Sequence, residues 1–138
     1  EDGSGARRAM EIALAQAGIT PDQVDHINAH ATSTQVGDRG ELAAIRALFG
    51  SRTDLLISAT KSSTGHLLGA AGGIEAIFTV LALRDQIAPA TLNLARPDPL
   101  AEGLSIVAGQ PRTAEIEFAL TNGFGFGGVN GSAVFRRL

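Results

Sequence analysis

SATKSSTGHLLGAAGGIEAIFTVLALR, residues 58–84, is the stretch whose reading decides the fold. From Leu67 to Leu83 it is apolar or small on every helical face, the pattern of a helix enclosed on all sides. Glu75 interrupts it. A lone carboxylate among such neighbours is desolvated and has to find a partner or stay protonated. Lys61 and His66 are the only other titratable groups in the loop that enters this helix. The spacing therefore predicts a lysine, a histidine and a buried glutamate sharing one pocket at a helix entrance. From these residues alone the pocket reads equally as chemistry or as an internal ion pair.

The chain has 138 residues, a size for one domain with a real core. It opens on Glu1 without an initiator Met and is expected to be a piece of a longer chain. A formal net charge of −3, with Lys and Arg scattered, argues against a nucleic-acid surface. Cysteine is absent, which excludes disulfides, thiolate metal ligands and a cysteine nucleophile within these residues. The apolar run nears membrane-span length, but Glu75 and the glycines and alanines between Gly69 and Gly73 favour a helix buried in protein. No signal-peptide pattern is present, and a soluble cytoplasmic chain is expected.

Outward from that stretch, Gly5–Gly18 has helical spacing, with Met10, Ala13, Leu14 and Ala17 on one face and Gly18 as terminator. Thr20-Pro21-Asp22 is a turn, and Val24–Ala29 alternates as a short strand. A Thr/Ser loop, residues 31–34, leads to an amphipathic helix over Asp38–Phe49, ended by Gly50. Leu55–Ser58 is a short apolar strand. Beyond the central helix, Ile87–Leu92 is extended, with Pro89 suggesting an edge. Asn93–Leu104 is loop, Ser105–Ala108 a short strand, and Ile116–Thr121 and Val129–Arg136 are strands around a glycine-rich turn, residues 122–128. The order predicts a layered α/β architecture with a mixed sheet.

Three strand ends deliver polar or glycine-rich loops: His30 after the first, Lys61 and His66 after the second, and NGFGFGG after the third. Functional groups gather at the carboxyl ends of strands in open α/β sheets. Each group also has a plainer reading, as a loop histidine, an ion pair, a helix cap or a tight hairpin. His26 is expected to be half-exposed. His26 and His30 lie four apart on a strand, which does not bring imidazoles together, and no metal site is expected. The glycines of the turn let the backbone approach another group closely, and N–H groups held that way can face an oxyanion. Phe124 and Phe126 would wall such a site.

NAHATST at 28–34, TKSSTGHLLGAAG at 60–72 and NGFGFGG at 122–128 together resemble the C-terminal half of β-ketoacyl-acyl-carrier-protein synthases, especially the type II elongating condensing enzymes of fatty-acid synthesis. The resemblance covers essentially residues 1–138. It implies a thiolase-like fold, two similar halves in a layered core, and a homodimer. It implies that His30 and His66 are paired active-site histidines assisting malonyl decarboxylation. Lys61 would be the active-site lysine and Glu75 the glutamate that orients it and His66. Thr32 and Thr34 would bond the phosphopantetheine arm. Phe126 would be the gating residue whose N–H joins the oxyanion hole, with Phe124 and Gly125 beside the substrate. No free cofactor is implied, because the arm arrives on acyl carrier protein.

Departures from the pattern are also visible. The family's nucleophilic cysteine belongs to the N-terminal half, so this stretch alone is expected to be inactive. Ala31 and Gly123 stand where glycine and serine are common. A non-catalytic chain-length or scaffold subunit is the alternative. A degradative thiolase fits less well, since it needs a second cysteine near the C-terminal end.

Overall fold

The structure, a computed structural model, describes residues 2–138. Helix α1 (Ser4–Ala17) buries Ala6, Met10, Ala13 and Leu14, and Gly18 closes it at φ 68°, a left-handed position that costs glycine nothing. Ala17, expected on the same face, is exposed in the last turn. A 3-10 turn with Pro21 in first position leads to strand β1 (His26–Asn28). Helix α2 (Gln35–Phe49) begins three residues before the expected Asp38. Asp38 instead lies in its first turn, where a carboxylate complements the helix dipole, and its Oδ1 accepts the Ser33 N–H at 3.1 Å.

Strand β2 (Leu56–Ser58) is followed by the one-turn helix α3 (Lys61–Thr64), a 3-10 turn over Leu68–Ala70, and helix α4 (Ala71–Asp85). The expected continuous helix from Leu67 is therefore broken, with Leu68 at φ 52°. The expectation of burial on every face is also corrected. Glu75, Thr79, Ala82 and Leu83 face inward, whereas Ile77 is 58% and Val80 46% exposed on the opposite side. An apolar face left in water is the usual mark of a surface that another protein layer covers.

Strands β3 (Ile87–Ala88) and β5 (Arg112–Thr113) form a small antiparallel pair, and the latter was not foreseen. Strands β4 (Ser105–Ile106), β6 (Phe118–Phe124) and β7 (Asn130–Arg136) complete the main sheet, ordered β4-β2-β1-β6-β7. The first four run parallel and β7 pairs antiparallel to β6 along its whole length, so the sheet is mixed as expected. Because that pairing extends from Phe118↔Arg136 to Phe124↔Asn130, residues 122–124 belong to strand rather than turn.

Register explains the layering. Ile27, Ile57 and Leu120 stand abreast and face α1 and α2, packing with Met10, Leu14, Ile45 and Phe49. One residue earlier, Leu56, His26 and Ala119 stand abreast on the other face, toward Ala82 and Leu83 of α4. Successive residues of a strand point to opposite faces, so one parallel register builds both cores. Each large aliphatic side chain buried here stabilises by about 1.5–3 kcal/mol. A second row on the α4 face is polar, with Ser58, Asn28 and Thr121 abreast at the carboxyl end of the sheet.

His26 is fully buried, which corrects the expectation of half exposure. Its strand is central rather than at an edge, and its Nδ1 lies 3.1 Å from the Leu56 carbonyl. Burial lowers its pKa from 6.5 to about 4. Between those values the unfolded chain takes up a proton that the folded chain refuses. The contribution of His26 to stability is therefore full above about pH 6.5 and falls as pH drops toward 4. Melting temperatures should decline across that window, and His26→Leu should flatten the decline. An unchanged slope in that variant would mean that another group carries the acid sensitivity.

Candidate active site

The carboxyl ends of β1, β2 and β6 meet beneath the entrance of α4, and the site is assembled there. Lys61 follows β2 on α3, whose first residues are fixed from several sides. The Ala59 N–H donates to Thr91 Oγ1 at 3.0 Å, Ser62 Oγ donates to the Ala59 carbonyl at 2.7 Å, and the Leu92 N–H donates back to Ser62 Oγ at 2.8 Å. The Lys61 side chain is turned inward and almost wholly buried, where its ammonium donates to Glu75 Oε1. Glu75 has thus found the partner its surroundings require. Removing one member of such a pair leaves an uncompensated charge, at a cost of about 3–5 kcal/mol.

The same ammonium lies 3.2 Å from His30 Nδ1. An ammonium can only donate, so Nδ1 accepts and the His30 proton resides on Nε2. Burial, then the charges of Lys61 and His66, lowers the His30 pKa to about 4, which leaves the imidazole neutral near pH 7. The His66 ring stands edge-on to it, with centroids 5.5 Å apart and planes at 90°. His66 Nδ1 accepts the Leu68 N–H at 3.2 Å, so this ring in its neutral form also carries its proton on Nε2. His66 is exposed, and it takes the first N–H of the 3-10 turn while sharing the site. Both imidazoles thus keep one N–H free to donate.

Asn28 fastens this group to the sheet. Its Nδ2 donates to the Glu75 carbonyl at 3.2 Å and its Oδ1 accepts from Thr60 Oγ1 at 3.0 Å. Glu41 of α2 approaches from the other face. Its carboxylate accepts the His30 N–H at 2.9 Å, the Ala31 N–H at 2.8 Å and Asn122 Nδ2 at 3.0 Å. Burial pushes the Glu41 carboxyl up, against the pull of those donors and the Lys61 charge.

Of the remaining expected residues, Phe124 packs against His30, its ring centroid 5.8 Å away. Gly125 donates its N–H to the Val129 carbonyl at 2.7 Å, and a Cβ there would sit 3.1 Å from that oxygen, a tight contact that favours glycine. The positive φ values fall instead at Gly127 and Gly128. Phe126 is fully exposed and walls nothing within these residues. Thr32 and Thr34 bond to each other through their hydroxyls at 3.1 Å. Thr32 lines a cleft of about 460 Å³ together with Ala31, Lys61, Ser62 and His66, while Thr34 precedes α2 outside it.

Asn28, Glu41, Thr60 and Asn122 were missed from the sequence. For Glu41 a signal existed, because it shares the four-residue spacing of Ile45 and Phe49 on the buried face of α2, the same anomaly that exposed Glu75. Among the described residues no cluster of His, Asp and Glu could hold a metal ion.

Residues 1–95 match the family described as "Beta-ketoacyl synthase, C-terminal domain". The chain is 51% identical over its full length to 3-oxoacyl-[acyl-carrier-protein] synthase 2 of Vibrio harveyi, of which it spans 34%. A solved β-ketoacyl synthase from Burkholderia phymatum superposes on 99% of the chain with a TM-score of 0.93 and 39% identity, using 33% of its own length. A type II polyketide ketosynthase solved with its acyl-carrier protein also gives 0.93, at 35% identity, with 99% of this chain and 34% of that one covered. The chain spans about a third of the length of the relatives it matches. The mixed sheet and the layers on its two faces are those of the thiolase-like ketosynthases. Fold and sequence agree that the chain belongs to the β-ketoacyl synthases and carries their C-terminal domain.

Proposed function

We propose that this chain is the malonyl-handling part of an elongating 3-oxoacyl-[acyl-carrier-protein] synthase of fatty-acid synthesis. A nucleophilic cysteine from an upstream half completes the site. The observation that carries this reading is the line Glu75–Lys61–His30, with His66 set edge-on at the end. Each imidazole has its Nδ1 occupied and its Nε2–H free. When the malonyl thioester loses CO2, the electrons of the breaking C–C bond pass to the thioester oxygen as an enolate. Two N–H donors aimed at that oxygen lower the barrier. The enolate carbon then attacks the acyl thioester on the cysteine, forming the new C–C bond and releasing the thiolate.

Acyl carrier protein is the proposed partner, its phosphopantetheine arm entering the cleft past Thr32 and Thr34. Phe126 is proposed as the gate of the acyl side, with its N–H in the oxyanion hole. The apolar face of α4, with Ile77 and Val80, is proposed to lie against the upstream half, in a homodimer in the cytoplasm. Among the described residues no helix is long and apolar enough to cross a membrane. A non-catalytic subunit has no use for a buried lysine and glutamate held against two histidines, which favours the enzyme.

Malonyl decarboxylation by the full-length protein tests the reading. His30→Ala and His66→Ala should each lower kcat about 100-fold or more. Decarboxylation within a few-fold of the parent in both variants would refute it.

The ion pair makes a separate prediction. Lys61→Met and Glu75→Leu should each destabilise the protein by about 3–5 kcal/mol, and the double variant by much less, with activity absent in all three. Urea unfolding beside the decarboxylation assay separates the two effects. An active double variant would mean that the pair is structural only.

Expressed alone, residues 1–138 should self-associate through the exposed side of α4, as read by sedimentation velocity. A strict monomer across concentrations would show that the halves are more independent than proposed.

A further inference from the structure

The turn that carries His30 is strained. Ala31 sits at φ 27° and Ser33 at φ 63°, in or near the left-handed region that side chains other than glycine rarely occupy. Such conformations persist only where the surroundings over-determine them. Two side chains do so here: Asp38 Oδ1 accepts the Ser33 N–H, and at the His30 end both oxygens of Glu41 are engaged by consecutive amides, His30 and Ala31.

Glu41 also reaches across the sheet. Its Oε1 accepts from Asn122 Nδ2, two residues before Phe124, the side chain that packs on His30. Ser132 Oγ of β7 donates to Asn122 Oδ1 at 2.8 Å, which leaves the amide one way to face. Glu41 is 5% and Asn122 1% exposed, so water does not compete. Three donors converging on one buried carboxylate call for an acceptor on every side, which an ionised glutamate supplies and an amide or aliphatic side chain does not. The Lys61 ammonium is engaged by Glu75 and His30, so Glu41 is not needed to balance it in contact.

We propose that Glu41 and Asn122 are positioning residues, a tie that holds the His30 turn at a set distance from the Phe124–Gly128 segment. The two walls of the site then keep one geometry. The inference rests on the decarboxylating role assigned above and adds a means of aligning it. Neither residue touches substrate. Both act through the backbone of His30 and the end of β6.

The test is a charge-exchange cycle in the full-length protein, with malonyl carrier protein as substrate. Asn122→Asp sets an acceptor against the Glu41 carboxylate and should lower kcat for decarboxylation about tenfold or more, with KM within about twofold. Adding Glu41→Gln replaces that repulsion with a donor–acceptor pair, at the cost of the His30 N–H contact made by the same atom, and should raise kcat about fivefold above Asn122→Asp alone without reaching the parent. Effects that simply multiply, or a kcat that does not move, would overturn the tie.

Amide exchange supplies a readout independent of turnover and of Asn122→Asp folding. Glu41→Gln keeps the size and removes the charge, and should speed exchange at residues 28–34 and 122–128 but not in α1. Unchanged exchange there would overturn the proposal whatever the kinetics. Faster exchange in a protein whose parent does not decarboxylate malonyl would uphold the tie and refute the reaction.

Discussion

The ammonium–carboxylate pair of Lys61 and Glu75 is the constraint around which this structure is arranged. A charge this deep is tolerable only beside its opposite, and the pair comes from segments fourteen residues apart in the chain. Bringing them together fixes how the loop after β2 enters α4. It also fixes where the lysine has spare valence to offer, and that direction is His30. Sheet register cooperates, because the parallel pairing that sets an apolar row under α4 sets a polar row at the strand ends. Asn28 in that row fastens the helix backbone behind Glu75.

Much of this was legible in the sequence, for physical reasons. Glu75 stands out because a carboxylate in an apolar helix contradicts its surroundings, and the contradiction points to Lys61. The mixed layered fold follows from alternating strand and helix patterns. Strand ends are the natural home of reactive groups, which brought His30, His66 and the phenylalanine turn under one heading. Gly18 and Gly50 marked helix ends correctly.

The rest was hidden by its scale. Two-residue strands such as β5 are too short for any periodicity to register, and whether His26 is buried depends on strand order, which no local pattern encodes. Apolarity on all faces of α4 does not say which layer covers each face. The helix packs on the sheet with one side and leaves Ile77 and Val80 outward. Asn28 and Asn122 look like ordinary polar residues at strand ends until their partners, 47 and 81 positions away, are known.

The way the two imidazoles are tethered has a chemical corollary. With the inner nitrogen of His30 filled by an ammonium and that of His66 by a peptide amide, neither ring has a lone pair left to present. Such a couple can hand hydrogen bonds to an incoming group but cannot pull a proton from one. A carbon nucleophile can arise here only if something other than a base creates it. Departure of a carboxyl group as gas is a route that asks nothing more of these two rings.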